Sequence, residues 1–332
     1  MEVGEEKMNL LMCSVGRRGE LLKYFRQTMG KEGKIVATDN SPYAPALYFA
    51  DKQYLVPLIT AKEYIDTLVE ICIKEKIQAI ATFIDPEIEV LSKHRAVFEK
   101  LGIKVLVPNG ETAGLCFDKY KLYLHLKSHH IPTVQTYGDL EEAKQAMERG
   151  EISFPVFVKP RMGSGSVGAR KVETLEELSV AMIEDPSLII QEYMSGVDLD
   201  ADVYVDTESK RVVSVFSKRK ISTTIGGANK TISFRDEKLF ELIKQVASVL
   251  ELYGPNDMDF FCVDGQYYLS EINPRFGGAY LHAYGAGVDF IKLIENNILN
   301  KANKPDIGNY EEGIVMMMYD SVVIKKQDEL AH

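Results

Sequence analysis

The sequence has no excess of positive charge. Its 39 lysines and arginines are outnumbered by 49 aspartates and glutamates, a formal net charge of −10 over 332 residues. Binding a phosphate backbone needs a basic surface, so nucleic acid is not expected as a partner. A polyphosphate ligand stays open, because a pocket can be basic inside an acidic protein. No run of about 18 apolar residues occurs, so no spanning helix and no membrane partner are expected. Cysteine is scarce: Cys13, Cys72, Cys116 and Cys262 all sit in apolar stretches, and no two have metal-ligand spacing. They read as reduced, largely buried thiols of a cytoplasmic protein. The opening Met1–Lys7 is polar and acidic, unlike a signal peptide. Repeats, low-complexity tracts and a persuasive Ser-His-Asp or Cys-His pair are also absent.

What is present begins with alternation. Asn9–Cys13, Lys34–Thr38, Ile77–Thr82 and Val105–Val107 read as strands, separated by helices over Glu20–Met29, Ala61–Lys74 and Glu87–Leu101. That order predicts βαβ units and a Rossmann-like parallel sheet, with ligands beyond the strands' carboxyl ends. Ser14–Arg18, Asp39 and Asp85-Pro86-Glu87 then share one rim. Further on, helices are expected over Asp118–Ser128 and Glu141–Glu148. Strands are expected over Val156–Lys159, Ile189–Gln191, Ala201–Val205 and Val212–Ser217, following one another directly enough to suggest an antiparallel α+β unit. A helix Leu239–Leu252, strands Phe260–Val263 and Tyr267–Glu271, and a helix Val288–Leu299 close the pattern. The length suffices for two or three packed units, placed at 8–115, 116–195 and 196–325.

Two segments carry chemistry. In Phe157-Val158-Lys159-Pro160-Arg161-Met162-Gly163-Ser164-Gly165-Ser166-Val167-Gly168 a buried-type strand delivers a lysine and then a glycine-serine loop. Small residues let backbone N–H groups approach an anion, and lysine adds a point charge. No Gly-Lys-Ser/Thr follows, so this is no Walker A loop, and it opens no helix after a first βα unit, so it is no dinucleotide fingerprint. The second segment is a predicted hairpin, Met258-Asp259-Phe260 joined through Asp264-Gly265 to Ser270-Glu271-Ile272-Asn273-Pro274-Arg275-Phe276-Gly277-Gly278. Asp259 can face Glu271 across the pair, and alternation puts Asn273 and Arg275 on the face of Glu271. Three oxygen-bearing side chains on one face suit Mg²⁺, with Mn²⁺ as a substitute, and the arginine suits a transferring phosphate. Surface carboxylates on a polar sheet are the competing reading.

Lys159 with its glycine loop, followed by Glu-Ile-Asn-Pro-Arg at 271–275, resembles the ATP-grasp superfamily. With the opening Ser14-Val15-Gly16-Arg17-Arg18, the chain is most similar to the pyrrolysine-biosynthesis ligase and to single-chain proteins like the carbamoyl-phosphate synthase large subunit. The resemblance runs from about Asn9 to Tyr319. It implies a pre-ATP-grasp domain followed by a two-lobed ATP-grasp fold. It implies that Lys119 and Lys159 contact the ATP phosphates and that Gly163, Ser164, Gly165 and Ser166 belong to the loop that closes on the nucleotide. Gln191, Glu192 and Tyr193 would read the adenine edge. Asp198 would hold the ribose, with Asp200 as competitor. Asp259, Glu271 and Asn273 would bind Mg²⁺, and Arg275 would stabilise an acyl phosphate.

In the resembling enzymes, the basic segment Lys218–Lys230 flanks the γ-phosphate and the acceptor. Arg219 and Lys230 become candidates there, against a plain solvated turn. The N-terminal domain of such enzymes supplies substrate contacts. Arg17 or Arg18 is a candidate for a carboxylate, Asp85 and Glu87 for an amine, and Asp39, Gly277 and Gly278 for the rim of the substrate site. The expected reaction joins a carboxylate and an amine, both small molecules and amino acids or their derivatives, through an acyl phosphate. The rivals are carbamoyl-phosphate-type chemistry on bicarbonate and an ATP-binding regulatory module without turnover. A homodimer is also expected from the resemblance.

Overall fold

The computed structural model describes residues 8–163, 168–224 and 227–331. The first unit alternates as its sequence does: β1 (Asn9–Cys13), α1 (Gly19–Met29), β2 (Lys34–Asp39), β3 (Lys52–Leu55), α2 (Tyr64–Glu75), β4 (Ala79–Thr82), α3 (Asp85–Glu99) and β5 (Lys104–Val105). The sheet is wholly parallel in the order β3-β2-β1-β4-β5. Chain direction across the sheet reverses at β1, so the crevice beyond β1 and β4 is where such a sheet receives ligands. The short β3 was not foreseen, because Lys52-Gln53-Tyr54-Leu55 is an edge strand with little apolar signal.

Two helices, α4 (Gly110–Phe117) and α5 (Lys119–Ser128), lead into the second unit. Asp118 caps α5 by accepting from the N–H groups of Tyr120 and Lys121. Its carboxylate also receives Arg161 through two bonds of 2.7 Å. This contact ties the start of α5 to the end of the strand that carries Lys159. That strand is β7 (Val156–Pro160), set among β6 (Thr136–Tyr137), β8 (Arg170–Val172) and β9 (Leu188–Glu192) in an antiparallel sheet of order β6-β9-β7-β8. Helices α6 (Leu140–Glu148) and α7 (Leu175–Glu184) pack on it through Ala143, Ala146, Leu178 and Ala181.

The third unit is a six-stranded sheet in the order β14-β13-β10-β11-β12-β15, built from β10 (Val197–Val205), β11 (Val212–Thr224), β12 (Gly227–Phe234), β13 (Gly254–Val263), β14 (Gln266–Asn273) and β15 (Val315–Met317). Helices α8 (Glu237–Val249), α9 (Tyr280–Gly285) and α10 (Phe290–Ile298) complete it. Its core is continuous with one face of the parallel sheet: Leu22, Phe25 and Phe83 belong to the same apolar cluster as Phe276, Tyr280 and Phe290. The predicted hairpin forms, with Asp264 at φ 50° and Gly265 at φ 75°, as a tight two-residue turn of this kind requires.

One prediction needs correction. Lys218–Lys220 does not end a strand; β11 continues to Thr224 and pairs with β12 as a long hairpin. A run of cations suggested solvent, but carboxylates on β10 and β13 neutralise Lys218 and Lys220 from the neighbouring strands.

Candidate functional site

Strand pairing assembles the site. Asp259 lies opposite Glu271 and Asp257 opposite Asn273 across β13 and β14. Lys159 enters from β7, and Lys119 from the first turn of α5. Both ammonium groups reach the same Glu271 oxygen, Lys159 at 3.6 Å and Lys119 at 4.0 Å. Lys159 also donates to Ser270 Oγ at 3.4 Å, and Lys119 to the carbonyl of Gly163 at 2.5 Å. Burial would raise the Glu271 carboxyl, but Lys159 and Lys119 outweigh it and hold the carboxyl below its ordinary value. Burial lowers Lys119, partly offset by Glu271. Lys119, the ionised Glu271 and the amide of Asn273 therefore share a small cleft lined also by Asp85, Cys116 and Pro274, with Lys159 reaching Glu271 beside it.

Glu271, Asn273 and Asp259 offer hard oxygen donors, as an Mg²⁺ site requires. Asp259 is the least free of the three: it is hydrogen-bonded to Lys220, which also meets Asp198 at 2.9 Å. Burial pushes the Asp259 carboxyl up to about 6, against the pull of Lys220.

Below these residues lies a buried charge cluster that the sequence reading missed. Asp200, Asp202 and Asp257 converge closely enough for their carboxylates to surround one cation. The cation they hold is Lys218, fully buried, 3.1 Å from Asp200 and hydrogen-bonded to Asp202. Burial raises Asp202 to about 6 and Asp257 to about 7. Lys218 is raised too: burial lowers it, but Asp200 and Asp202 more than compensate. The available signal was Asp198-Leu199-Asp200-Ala201-Asp202, three carboxylates at period two running into the strand expected from Ala201.

Arg275 faces this cluster. Its Nε meets Asp85 Oδ1 at 2.8 Å, Nη2 meets Asp85 Oδ2 at 3.1 Å, and Nη1 meets Asp257 at 3.3 Å and the carbonyl of Phe276 at 3.1 Å. Asp85 starts α3, so it brings the parallel-sheet unit onto the arginine. It is an ion-pair partner rather than a free amine receptor. Gly277 fits here because a Cβ would lie 2.7 Å from Asp257 Oδ1. Gly278 follows it, half-buried.

Other expected residues fall away from the centre. Arg219 is exposed and stacks over Phe234 at 5.2 Å; strand alternation turns it opposite to Lys218 and Lys220. Lys230 is exposed and alternates with buried Thr231. Arg17 extends into solvent, 3.9 Å from an equally exposed Asp320. Asp39 is engaged by the backbone, accepting from Gly16 N at 2.9 Å and Ser41 N at 3.0 Å. Glu87 is buried under Tyr64 and Thr82, out of reach of an amine.

Gln191 is buried and donates to Thr136 Oγ1 at 2.8 Å, while Glu192 and Tyr193 stay exposed at the end of β9. Asp198 is the accessible carboxylate of its strand; Asp200 is buried. His282 is interior, with Nδ1 2.8 Å from Thr231 Oγ1; burial, with Lys218 adding to it, lowers it to about 4. Ser164, Gly165 and Ser166 lie outside the described residues.

Family models match this chain in two places: a PylC-like N-terminal domain over residues 10–106 and an ATP-grasp domain over 116–279. The chain belongs to the ATP-grasp superfamily. The formate-dependent phosphoribosylglycinamide formyltransferase of Prochlorococcus marinus is 29% identical over 60% of this chain and 48% of its own length. The carbamoyl phosphate synthase large chain of Clostridium acetobutylicum is 24% identical over 83% of this chain, which spans only 27% of that protein. The D-alanine–D-alanine ligase of Thermotoga maritima is 26% identical over 60% of this chain and 72% of its length. The biotin carboxylase domain of the Hydrogenobacter thermophilus 2-oxoglutarate carboxylase, a dimer solved with MgADP and bicarbonate, superposes with a TM-score of 0.75. It covers 93% of this ATP-grasp chain and 74% of that one, at 19% identity, and so supports the fold. No helix among the described residues is long and apolar enough to cross a membrane.

Proposed function

We propose that this ATP-grasp protein is an ATP-dependent carboxylate–amine ligase that forms an amide through an acyl phosphate, with amino acids or their derivatives as substrates. The observation that carries the reading is the convergence of Lys119 and Lys159 on Glu271, beside Asn273 and Gly163. Two largely buried ammonium groups beside one carboxylate suit a polyphosphate that arrives with its own cation. Glu271 and Asn273 would hold Mg²⁺, with Asp259 completing the set once it releases Lys220. The ion would neutralise charge on the phosphates. Lys119 and Lys159 would then turn from Glu271 to the nucleotide phosphates. Tyr193 and Glu192 would border the base, and Asp198 the ribose.

The remaining chemistry needs positioning and charge rather than a protein nucleophile. A substrate carboxylate attacks the γ-phosphorus and ADP departs. The amine attacks the acyl carbon and phosphate departs. Arg275, held by Asp85 and Asp257, contributes a fixed positive charge where the acyl phosphate would form. Residues 8–115 would form the substrate-facing domain, 116–195 the small lobe and 196–325 the large lobe. A homodimer is the proposed assembly.

A pairwise panel of amino acids with Mg-ATP, read by ADP release, tests the proposal. Release that depends on both an acid and an amine is expected, with at least a hundredfold loss of rate in Glu271→Gln. No ADP across the whole panel refutes amino-acid ligation, and nucleotide binding without turnover for any acid favours a regulatory role.

A further inference from the structure

Arg275 is anchored from two sides, by Asp85 and by Asp257. A guanidinium carries five N–H donors. Nη2 bonds to Asp85 and Nη1 to Asp257 and to the carbonyl of Phe276, while Nε lies 2.8 Å from Asp85 Oδ1 without hydrogen-bond geometry, so three of the five are bonded. Its neighbour is held by far less. Arg18, at the start of α1 just beyond β1, reaches across from the parallel sheet and donates from Nη1 to the carbonyl of Gly277 at 3.1 Å. That carbonyl is its only side-chain acceptor among the described residues. Four donors are therefore uncommitted. Burial and then Arg275 lower Arg18 to about 10, so it remains a cation at neutral pH.

The surroundings decide what such a group can receive. Asp85, Asp257 and Asp202 lie close enough to act on Arg18, yet Asp85 and Asp257 are engaged by Arg275, and Asp202 by Lys218. Gly277, whose carbonyl Arg18 holds, packs its backbone tightly on this cluster, since a Cβ there would stand 2.7 Å from Asp257 Oδ1 and 3.0 Å from Asp202 Oδ1. The group sits beyond the carboxyl end of β1, at the reversal point of the parallel sheet, and faces Arg275, two residues past the end of β14. A planar fork with free donors beside a second, immobilised guanidinium matches a carboxylate.

We propose that Arg18 recognises the carboxylate of a small acid substrate, with Arg275 supplying fixed charge beside it. The assignment of the acid as a substrate rests on the ligase reading; carboxylate binding at Arg18 does not. This places substrate recognition on Arg18 rather than on Arg17, the adjacent cation that extends into solvent.

The test uses the full chain loaded with Mg²⁺ and a non-hydrolysable ATP analogue. Acetate, glycine and malonate, each ¹³C-labelled at the carboxylate, are titrated to 100 mM and followed by NMR line broadening. Acetate tests the carboxylate alone, glycine an added amine and malonate a second acid group. At least one is expected to bind the wild-type protein. Arg18→Gln should weaken it at least tenfold, Arg17→Gln less than twofold, with nucleotide affinity unchanged in both. If Arg18→Gln loses nucleotide binding as well, Arg18→Lys carries the test, with a loss of at least threefold expected because lysine lacks the fork. Absence of binding by all three probes in the wild type, or equal affinity in the Arg18 variant read, overturns the proposal. Arg18-dependent carboxylate binding without ADP release would refute the ligase reading alone.

Discussion

Removing the ammonium of Lys218 is the sharpest perturbation of the large sheet. The side chain is fully buried, 3.1 Å from Asp200 and hydrogen-bonded to Asp202, with Asp257 in the same cluster. Lys218→Met keeps most of the volume and deletes the charge. Breaking one partner out of a buried ion pair costs about 3–5 kcal/mol, because the charge left behind is uncompensated. The carboxylates can limit the loss by taking up protons. An aspartate with an ordinary value of 3.8 needs about 4 kcal/mol to be protonated at pH 7, at roughly 1.36 kcal/mol per unit. The two routes agree on a loss of about 4 kcal/mol. At roughly 2–4 °C per kcal/mol for a unit of 150–250 residues, the melting temperature should fall by about 10 °C at pH 7.5. The loss should shrink at pH 5.5, where protonation of the orphaned carboxyls is less costly. Lys218→Met combined with Asp202→Asn should recover part of it. Thermal melts followed by circular dichroism at the two pH values provide the check. A drop below 2 °C at pH 7.5, or the same drop at both pH values, would refute the idea that Lys218 neutralises this cluster.

Two further outcomes follow from the same geometry. Asp257 is raised to about 7 and Asp202 and Asp259 to about 6 by burial, so between pH 4 and 7 the folded chain holds protons that the unfolded chain has released. This cluster's contribution to stability therefore falls as pH rises through that window. Asp257→Asn should gain stability relative to wild type from pH 4 to pH 7 in urea titrations; a flat difference would show that Asp257 titrates normally. Gly196→Ala should destabilise by about 3 kcal/mol, since its Cβ would stand 2.1 Å from the carbonyl oxygen of Cys262 in the paired strand. A melting temperature within 1 °C of wild type would mean that β10 and β13 separate more easily than their register implies.

Legibility differed with the range of the interaction. The βαβ alternation, the Asp264-Gly265 turn and the facing of Asp259 and Glu271 depend on neighbours a few residues apart, and each formed as its pattern predicted. The 218–230 segment did not. For its cations the sequence leaves phosphate contacts and a solvated turn both open, and neither reading finds the partners of Lys218 and Lys220, because Asp198, Asp200, Asp202 and Asp259 sit on other strands. Arg219 illustrates the limit: it is one residue from two inward lysines, and pleat parity alone sends it outward over Phe234. Asp39 and Glu87 were drawn to the rim by their position, whereas backbone amides and buried hydroxyls occupy their oxygens.

The sequence by itself determined the parallel sheet, the antiparallel units and the facing of Asp259 and Glu271, because strand periodicity and a tight hairpin turn are local properties. Tertiary structure decided which charges are free. It brought Lys119 and Lys159 to one oxygen of Glu271, sealed Lys218 among three carboxylates, anchored Arg275 on Asp85 and Asp257, and left Arg18 with most of its donors open. Charge sign can be read from a residue's name, but its availability depends on which opposite charge the fold brings within contact distance.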